Sequence, residues 1–166
     1  MGTEIKPAEF KERCFTHGGA NWSFTYPEDR LLPLAGTISD HLMRNPDMRD
    51  SDDEPCLLVV KSDNTTGTTL GRANGVFSVV RKCSLHAPVD QTSMEWAILP
   101  YCSKSDAFSA PGDSGSIIAD ISGRIGGMLT GGSGTTRSSD VTYATPWFWL
   151  LKQIQATKEF TKAHVA

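Results

Sequence analysis

From Pro55 onward the chain never runs long without punctuation. Apolar and β-branched residues come in short runs, at 56–61, 66–72, 75–82, 96–99, 116–120 and 124–130, separated by Gly, Asn and Ser punctuation. Asn64 and Gly67 precede one run, Asn74-Gly75 the next, and Ser122-Gly123 lies between the last two. Short runs that stop at residues able to adopt positive φ make antiparallel strands joined by hairpins, and such a set closes as a barrel or stacks as a sandwich. Residues 141–145 make either a further strand or the closing half of the last hairpin. Behind Thr145 the period changes from two to 3.6. Pro146 fits the first helical position after a Thr N-cap, and Trp147, Leu150, Leu151 and Ile154 share one face, so the chain is expected to end in an amphipathic helix on the sheet.

Residues 1–54 read differently. A short helix is expected at 7–13, a Gly/Asn/Trp loop follows, and a second short helix begins at Ser39 as N-cap before the acidic loop Asp50-Ser-Asp-Asp-Glu54. The 166 residues divide into an irregular N-terminal arm or linker, 1–54, and a β domain with a terminal helix, 55–166. Asp140 and the carboxylates of 50–54 read as solvated loop charges.

A formal net charge of -3 offers no basic field for a nucleic-acid backbone, and no lysine-rich stripe suits a membrane surface. The amino terminus has no apolar stretch behind a basic start, and no long uncharged apolar run follows, so a cytoplasmic protein is expected. Cys14, Cys56, Cys83 and Cys102 stand apart without a C-x-x-C pair, which predicts reduced thiols and no metal site or cofactor.

The chemistry-bearing tetrapeptide is Gly112-Asp-Ser-Gly115. Acyl transfer needs a serine hydroxyl held beside backbone N–H groups aimed at a developing oxyanion, and a glycine two positions before the serine permits the necessary turn. Asp113 suits a buried contact that fixes the loop. The α/β-hydrolase elbow Gly-x-Ser-x-Gly is excluded, because position 116 is Ser and an apolar β-branched run follows in place of a helix.

Residues 107–146, Ala-Phe-Ser-Ala-Pro-Gly-Asp-Ser-Gly-Ser-Ile-Ile through Thr130-Gly131-Gly132 to Asp-Val-Thr-Tyr-Ala-Thr-Pro146, resemble the carboxyl-terminal barrel of the trypsin/chymotrypsin-like serine peptidases. They look most like the short bacterial branch of streptogrisins and α-lytic protease. Asn64-Thr-Thr-Gly-Thr-Thr-Leu-Gly71 is similar to the hairpin that opens that barrel, and Asp140-Val-Thr-Tyr-Ala-Thr-Pro146 before an aromatic helix start is similar to fungal trypsin-like proteins. The resemblance implies an all-β fold, a six-stranded antiparallel Greek-key barrel. It makes Ser114 the nucleophile and the N–H groups of Gly112 and Ser114 the oxyanion hole. It sets Thr130, Gly131 and Gly132 along the substrate backbone, and walls an uncharged primary pocket with Phe108, Ser109, Ala110, Leu129 and Gly132, which suits apolar side chains. Asp113 would pair with Arg124, Arg137 or Arg72.

In that family the base and its orienting aspartate come from a preceding barrel, for which residues 1–54 hold too few strand-like runs. His17 stands at about the family's spacing from Ser114 but lacks surrounding strands; it is the candidate base, while His41, His86 and His164 read as helix, loop and tail residues. The expected function is the nucleophile-bearing half of a serine endopeptidase, incomplete alone, with a polypeptide substrate and a missing or partner N-terminal barrel. The alternative is a pseudo-peptidase barrel that acts as a binding or structural module. A barrel without its partner has a bare face, which a second copy covers as a homodimer or residues 1–54 cover in cis.

Overall fold

The computed structural model describes residues 31–50, 52–82, 91–102, 105–134 and 140–165, and singly 6, 8, 28 and 29. The helix expected at 7–13 falls almost wholly outside them, as do Cys14, His17, Cys83, His86 and Arg137. The described elements are α1 (Asp40–Arg44), β1 (Met48–Arg49), β2 (Pro55–Ser62), β3 (Thr68–Lys82), β4 (Gln91–Pro100), β5 (Ile117–Asp120), β6 (Ile125–Ser133), β7 (Val141–Pro146), α2 (Trp147–Ala156) and a 3₁₀ turn (Lys158–Phe160).

Six of the strands close on themselves in the order β2-β3-β4-β7-β6-β5, because β2 pairs both with β3 and, through Val59↔Asp120 and Val60↔Ala119, with β5. All pairings are antiparallel. The expected six-stranded barrel with a carboxyl-terminal helix is therefore the fold, and closure pairs each of the six strands on both sides over part of its length. The β4-to-β5 connection crosses one end of the barrel and carries residues 108–116.

The strands differ in two places from their sequence pattern. The runs at 66–72 and 75–82 are one strand, β3, whose register on β4 shifts between Ala73 and Phe77. Asn74-Gly75 makes a bulge there in place of a hairpin: the Val76 N–H turns back to Asn74 Oδ1 at 3.1 Å, and the strand bends around the barrel without reversing. Residues 141–146, left open as strand or hairpin half, are the barrel strand β7, which joins β4 to β6. At its end Pro146 occupies the N-cap with ψ 134° and not the first helical position, so α2 starts one residue later and has no side-chain cap. Trp147, Leu150 and Leu151 are part-buried, Ile154 is exposed, and Phe148 packs against the core.

Along β7, and along β4 from Trp96 onward, buried and part-buried residues alternate. Trp96, Ile98 and Ala144 point into the barrel and are fully buried with Leu57, Val59, Ala73 and Ile118. Gly126 is the complement of the largest of these: a Cβ there would lie 2.5 Å from Cζ3 of Trp96. Gly126→Ala is expected to lose about 1–3 kcal/mol by overpacking, read as a lowered urea midpoint with an unchanged slope; an unshifted midpoint would mean that the indole has room to move.

β2 is buried on both faces because the preceding segment covers its outside. The chain at 35–38 runs along the β5–β6 turn, with Ala35 N–H to Gly123 O at 2.9 Å, Ile38 N–H to Ile125 O at 2.8 Å and Ile125 N–H to Gly36 O at 3.1 Å. Ser39 caps α1 as its sequence suggests, accepting from Leu42 N–H, and Ile38, Met43 and Met48 enter the core. Asp50 is not a solvated loop charge. It is buried, its Oδ1 accepts from the N–H groups of Asp52 and Glu54, and Arg72 pairs with Oδ2. Asp140 is also half-buried, and burial raises its carboxyl from the ordinary value. Cys56 and Cys102 are free thiols; burial, with Asp50 adding, pushes the Cys56 thiol up to about 12, which makes it inert. Among the described residues no helix is long and apolar enough to cross a membrane.

Candidate functional site

The loop from Phe108 to Ser116 is pinned from below by a buried charge cluster. Asp113 is 1% exposed. Its Oδ2 accepts from Ala110 N–H at 2.9 Å and from Thr66 Oγ1 at 2.8 Å, and Lys61 Nζ lies 3.3 Å away. Lys61, at the end of β2 and itself buried, also donates to Asp63 and, at 2.6 Å, to Thr66 Oγ1. Burial alone would raise the Asp113 carboxyl. The bonds from Ala110 N–H and the Thr66 hydroxyl, with the Lys61 charge, outweigh burial and hold it well below the ordinary carboxylate range.

Lys61, and not an arginine, is therefore the partner of Asp113. Arg72 is committed to Asp50, and Arg124 to Asp120 and Asp47. Arg137 lies outside the described residues. The register explains the choice, because β2 pairs with both β3 and β5 and its last residues reach the crossover loop. No local signal marks it, since a lysine after Val59-Val60 reads as the solvent side of a strand.

Above this cluster the backbone turns sharply. Asp113 N–H bonds Ala110 O at 3.1 Å and Ser116 N–H bonds Asp113 O at 3.1 Å, while Gly115 N–H bonds Leu129 O at 2.8 Å. Gly112 and Gly115 flank the serine with φ of +109° and +95°, values an L side chain would resist. Ser114 is exposed at the apex. Among the described residues its hydroxyl has no hydrogen-bond partner, and the N–H groups of Gly112 and Ser114 donate to no protein group. His41 and His164 are exposed and make no contact with it, and His17 lies outside the described residues.

The residues expected to bind substrate fall into two groups. Phe108 and Leu129 are core residues; the Phe108 ring sits 5.5 Å beneath the Lys61 ammonium, and its carbonyl accepts from Thr69 Oγ1 at 2.7 Å. Ser109 and Ala110 are part-buried, and the Ser109 hydroxyl meets Thr142 Oγ1 at 2.6 Å. Thr130, Gly131 and Gly132 are set apart from these four and line a cleft of about 770 Å³. They lie on β6 beyond its pairing with β5, which ends at Met128, so among the described residues this stretch pairs with β7 alone and keeps one backbone edge free. Glu95, which the sequence does not single out, lines the same cleft.

No family model and no curated protein matches the chain. Among solved structures, a chymotrypsin from Cellulomonas bogoriensis is similar at 24% identity with a TM-score of 0.42, over 58% of this chain and 46% of that one. The chain thus spans less than half of that protein's length.

Proposed function

We propose that the chain is the nucleophile-bearing barrel of a chymotrypsin-like serine endopeptidase, with Ser114 as nucleophile and the Gly112 and Ser114 N–H groups as oxyanion donors. The observation that carries this reading is the buried Lys61–Asp113 pair beneath an exposed serine. A charge taken out of water in a surface turn is costly unless the turn must hold one shape. Here it holds a turn in which, among the described residues, the N–H groups of Gly112 and Ser114 have no acceptor, which leaves them available to an oxyanion as acyl transfer demands. The free edge at Thr130–Gly132 suits a polypeptide backbone laid down as an added strand, next to the Ser114 loop that hydrogen-bonds Leu129. The strand order and the Gly-Asp-Ser-Gly loop on the crossover agree with the sequence resemblance.

In the reaction Ser114 Oγ would attack the scissile carbonyl carbon while a base takes its proton. The same base would return that proton to the departing amine, and water would then cleave the acyl-serine ester. Among the described residues none supplies the base; in the family's manner it would come from a preceding barrel. That no described residue supplies an imidazole also favors the second reading, a non-catalytic module that keeps the loop for binding.

Labelling with a fluorophosphonate separates them. Attack by Ser114 displaces fluoride and leaves a stable adduct, and if the base is absent, added imidazole must speed the step. Labelling that vanishes in Ser114→Ala and accelerates with free imidazole is expected, with no Ser114-dependent peptide turnover by the chain alone. Labelling spread over other serines would overturn the nucleophile assignment. A rapid rate that ignores imidazole and is lost in His17→Ala would overturn the incompleteness.

A further inference from the structure

The cleft beside Thr130–Gly132 is built around a buried carboxylate. Trp96 and Ala144 point inward, so by strand alternation Glu95, Tyr143 and Thr145 lie on the outer wall of the barrel, where β3, β4, β6, β7, both ends of α1 and the start of α2 line the space. Glu95 is 6% exposed. Its Oε2 accepts from Thr145 Oγ1 at 2.9 Å and Thr130 Oγ1 at 3.4 Å, and among the described residues its other oxygen has neither a hydrogen bond nor an ion pair.

The cation nearest to hand is already used. Arg44, at the cleft margin, bonds Asp40 at 3.0 Å and lies 4.6 Å over the Phe77 ring. With Asp40, Arg44 and Glu95 as its charged groups, the cleft is net negative, and the negative charge without a partner is the buried one. Around it stand Phe77, Met94, Tyr143, Phe148 and Trp149, with Met94 57% and Trp149 49% exposed.

We propose that this cleft receives a lysine or arginine side chain of a bound polypeptide, with the charged tip on the Glu95 carboxylate and the aliphatic stem against Met94 and the aromatic walls. A cation here gains a charge-assisted bond with a desolvated carboxylate and the faces of nearby rings, while its methylenes cover apolar surface. A polypeptide is preferred over a small amine because the cleft adjoins the free backbone edge of β6, which offers main-chain pairing next to a side-chain pocket. The inference rests on the reading of that edge as a polypeptide-binding strand. This basic-side-chain site is separate from the uncharged pocket expected around Phe108, Ser109 and Ala110.

The test uses two capped peptides, acetyl-Ala-Leu-Arg-Leu-Ala-amide and its glutamine counterpart, titrated against the full chain by calorimetry and tryptophan fluorescence. The arginine peptide is expected to bind about ten-fold tighter or more, with the advantage shrinking as salt rises. Glu95→Gln preserves acceptors for both threonine hydroxyls and is expected to erase the difference. Trp149→Ala, at an exposed position, is expected to weaken the arginine peptide without altering the thermal midpoint. Equal affinity for the two peptides, no binding of either, or a preference that survives Glu95→Gln would overturn the proposal. Labelling of Ser114 is a separate readout on the same protein. If labelling fails and the arginine preference stands, the catalytic reading falls alone; if the preference fails and labelling stands, this inference falls alone.

Discussion

Lys61→Met is expected to destabilise the chain by about 3–5 kcal/mol and to release the loop that presents Ser114, because it strips the cation from a buried cluster and leaves the carboxylates behind. Methionine matches the length of the stem but donates nothing. Asp63 and Asp113 would face each other across an apolar floor formed by Phe108, and the Thr66 hydroxyl would lose one of its partners. The urea midpoint reports the stability, and Ser114 labelling reports the loop. Adding Asp113→Asn to Lys61→Met should restore part of the stability, since one uncompensated charge goes with it, so the two losses are not additive. Labelling should stay low in the double variant.

The pH dependence follows from the direction of the Asp113 shift. Its folded value is depressed, so its contribution is complete above the unfolded value of about 3.9 and disappears only as pH falls through the lower folded value. In Lys61→Met the depression is smaller but keeps its sign, because the bonds from Ala110 N–H and the Thr66 hydroxyl remain. The gap between the two proteins should therefore be full above about pH 3.9 and narrow only as pH falls through the folded values. A midpoint for Lys61→Met equal to that of the parent at neutral pH would mean that the pair does not hold the loop.

What could be read from the sequence and what could not divide along the range of the interactions. Strand and hairpin positions are local: Ser122-Gly123 turns where expected, with Gly123 at φ +83°, and Ser39 caps its helix. Asn74-Gly75 misleads because the same dipeptide serves a hairpin and a bulge, and only the pairing of β3 with β4 on both sides of it decides. Pro146 shifts by one position for a similar reason: β7 keeps its ladder to β6 as far as Gly127↔Pro146, so the sheet claims the residue before the helix can. Ser114 and its two glycines could be read because a tight turn writes its demands into adjacent residues. Lys61 and Glu95 could not. A lysine after Val59-Val60 and a glutamate between Met94 and Trp96 look like the solvent side of a strand. Their burial is decided by elements distant in the chain, the 108–116 loop over the first and β6, β7 and α2 around the second.

A chain begun at residue 51 is expected not to persist as a monomer, although the sequence changes character at 54. Residues 31–50 supply Ile38, Met43 and Met48 to the core, the first two fully buried. They also bond the β5–β6 turn through three backbone hydrogen bonds and carry Asp47, the outer partner of Arg124. Truncating one buried Ile or Met typically costs about 2–5 kcal/mol. Removing three together rivals the whole stability of a domain, about 5–15 kcal/mol. The deletion would also bare the outer face of β2, whose residues Leu57 to Val60 are buried on both sides, and uncovered apolar area of that kind drives self-association. Light scattering after size exclusion should find aggregates or new oligomers, and any soluble fraction should unfold without cooperativity. Ile38→Ala in the full chain serves as the graded control: it removes a single side chain and is expected to lower the urea midpoint while the protein stays folded. If the truncated chain were monomeric and unfolded at the same midpoint as the parent, residues 55–166 would be a domain complete in themselves. The arm would then be a linker that rests on the barrel without supporting it.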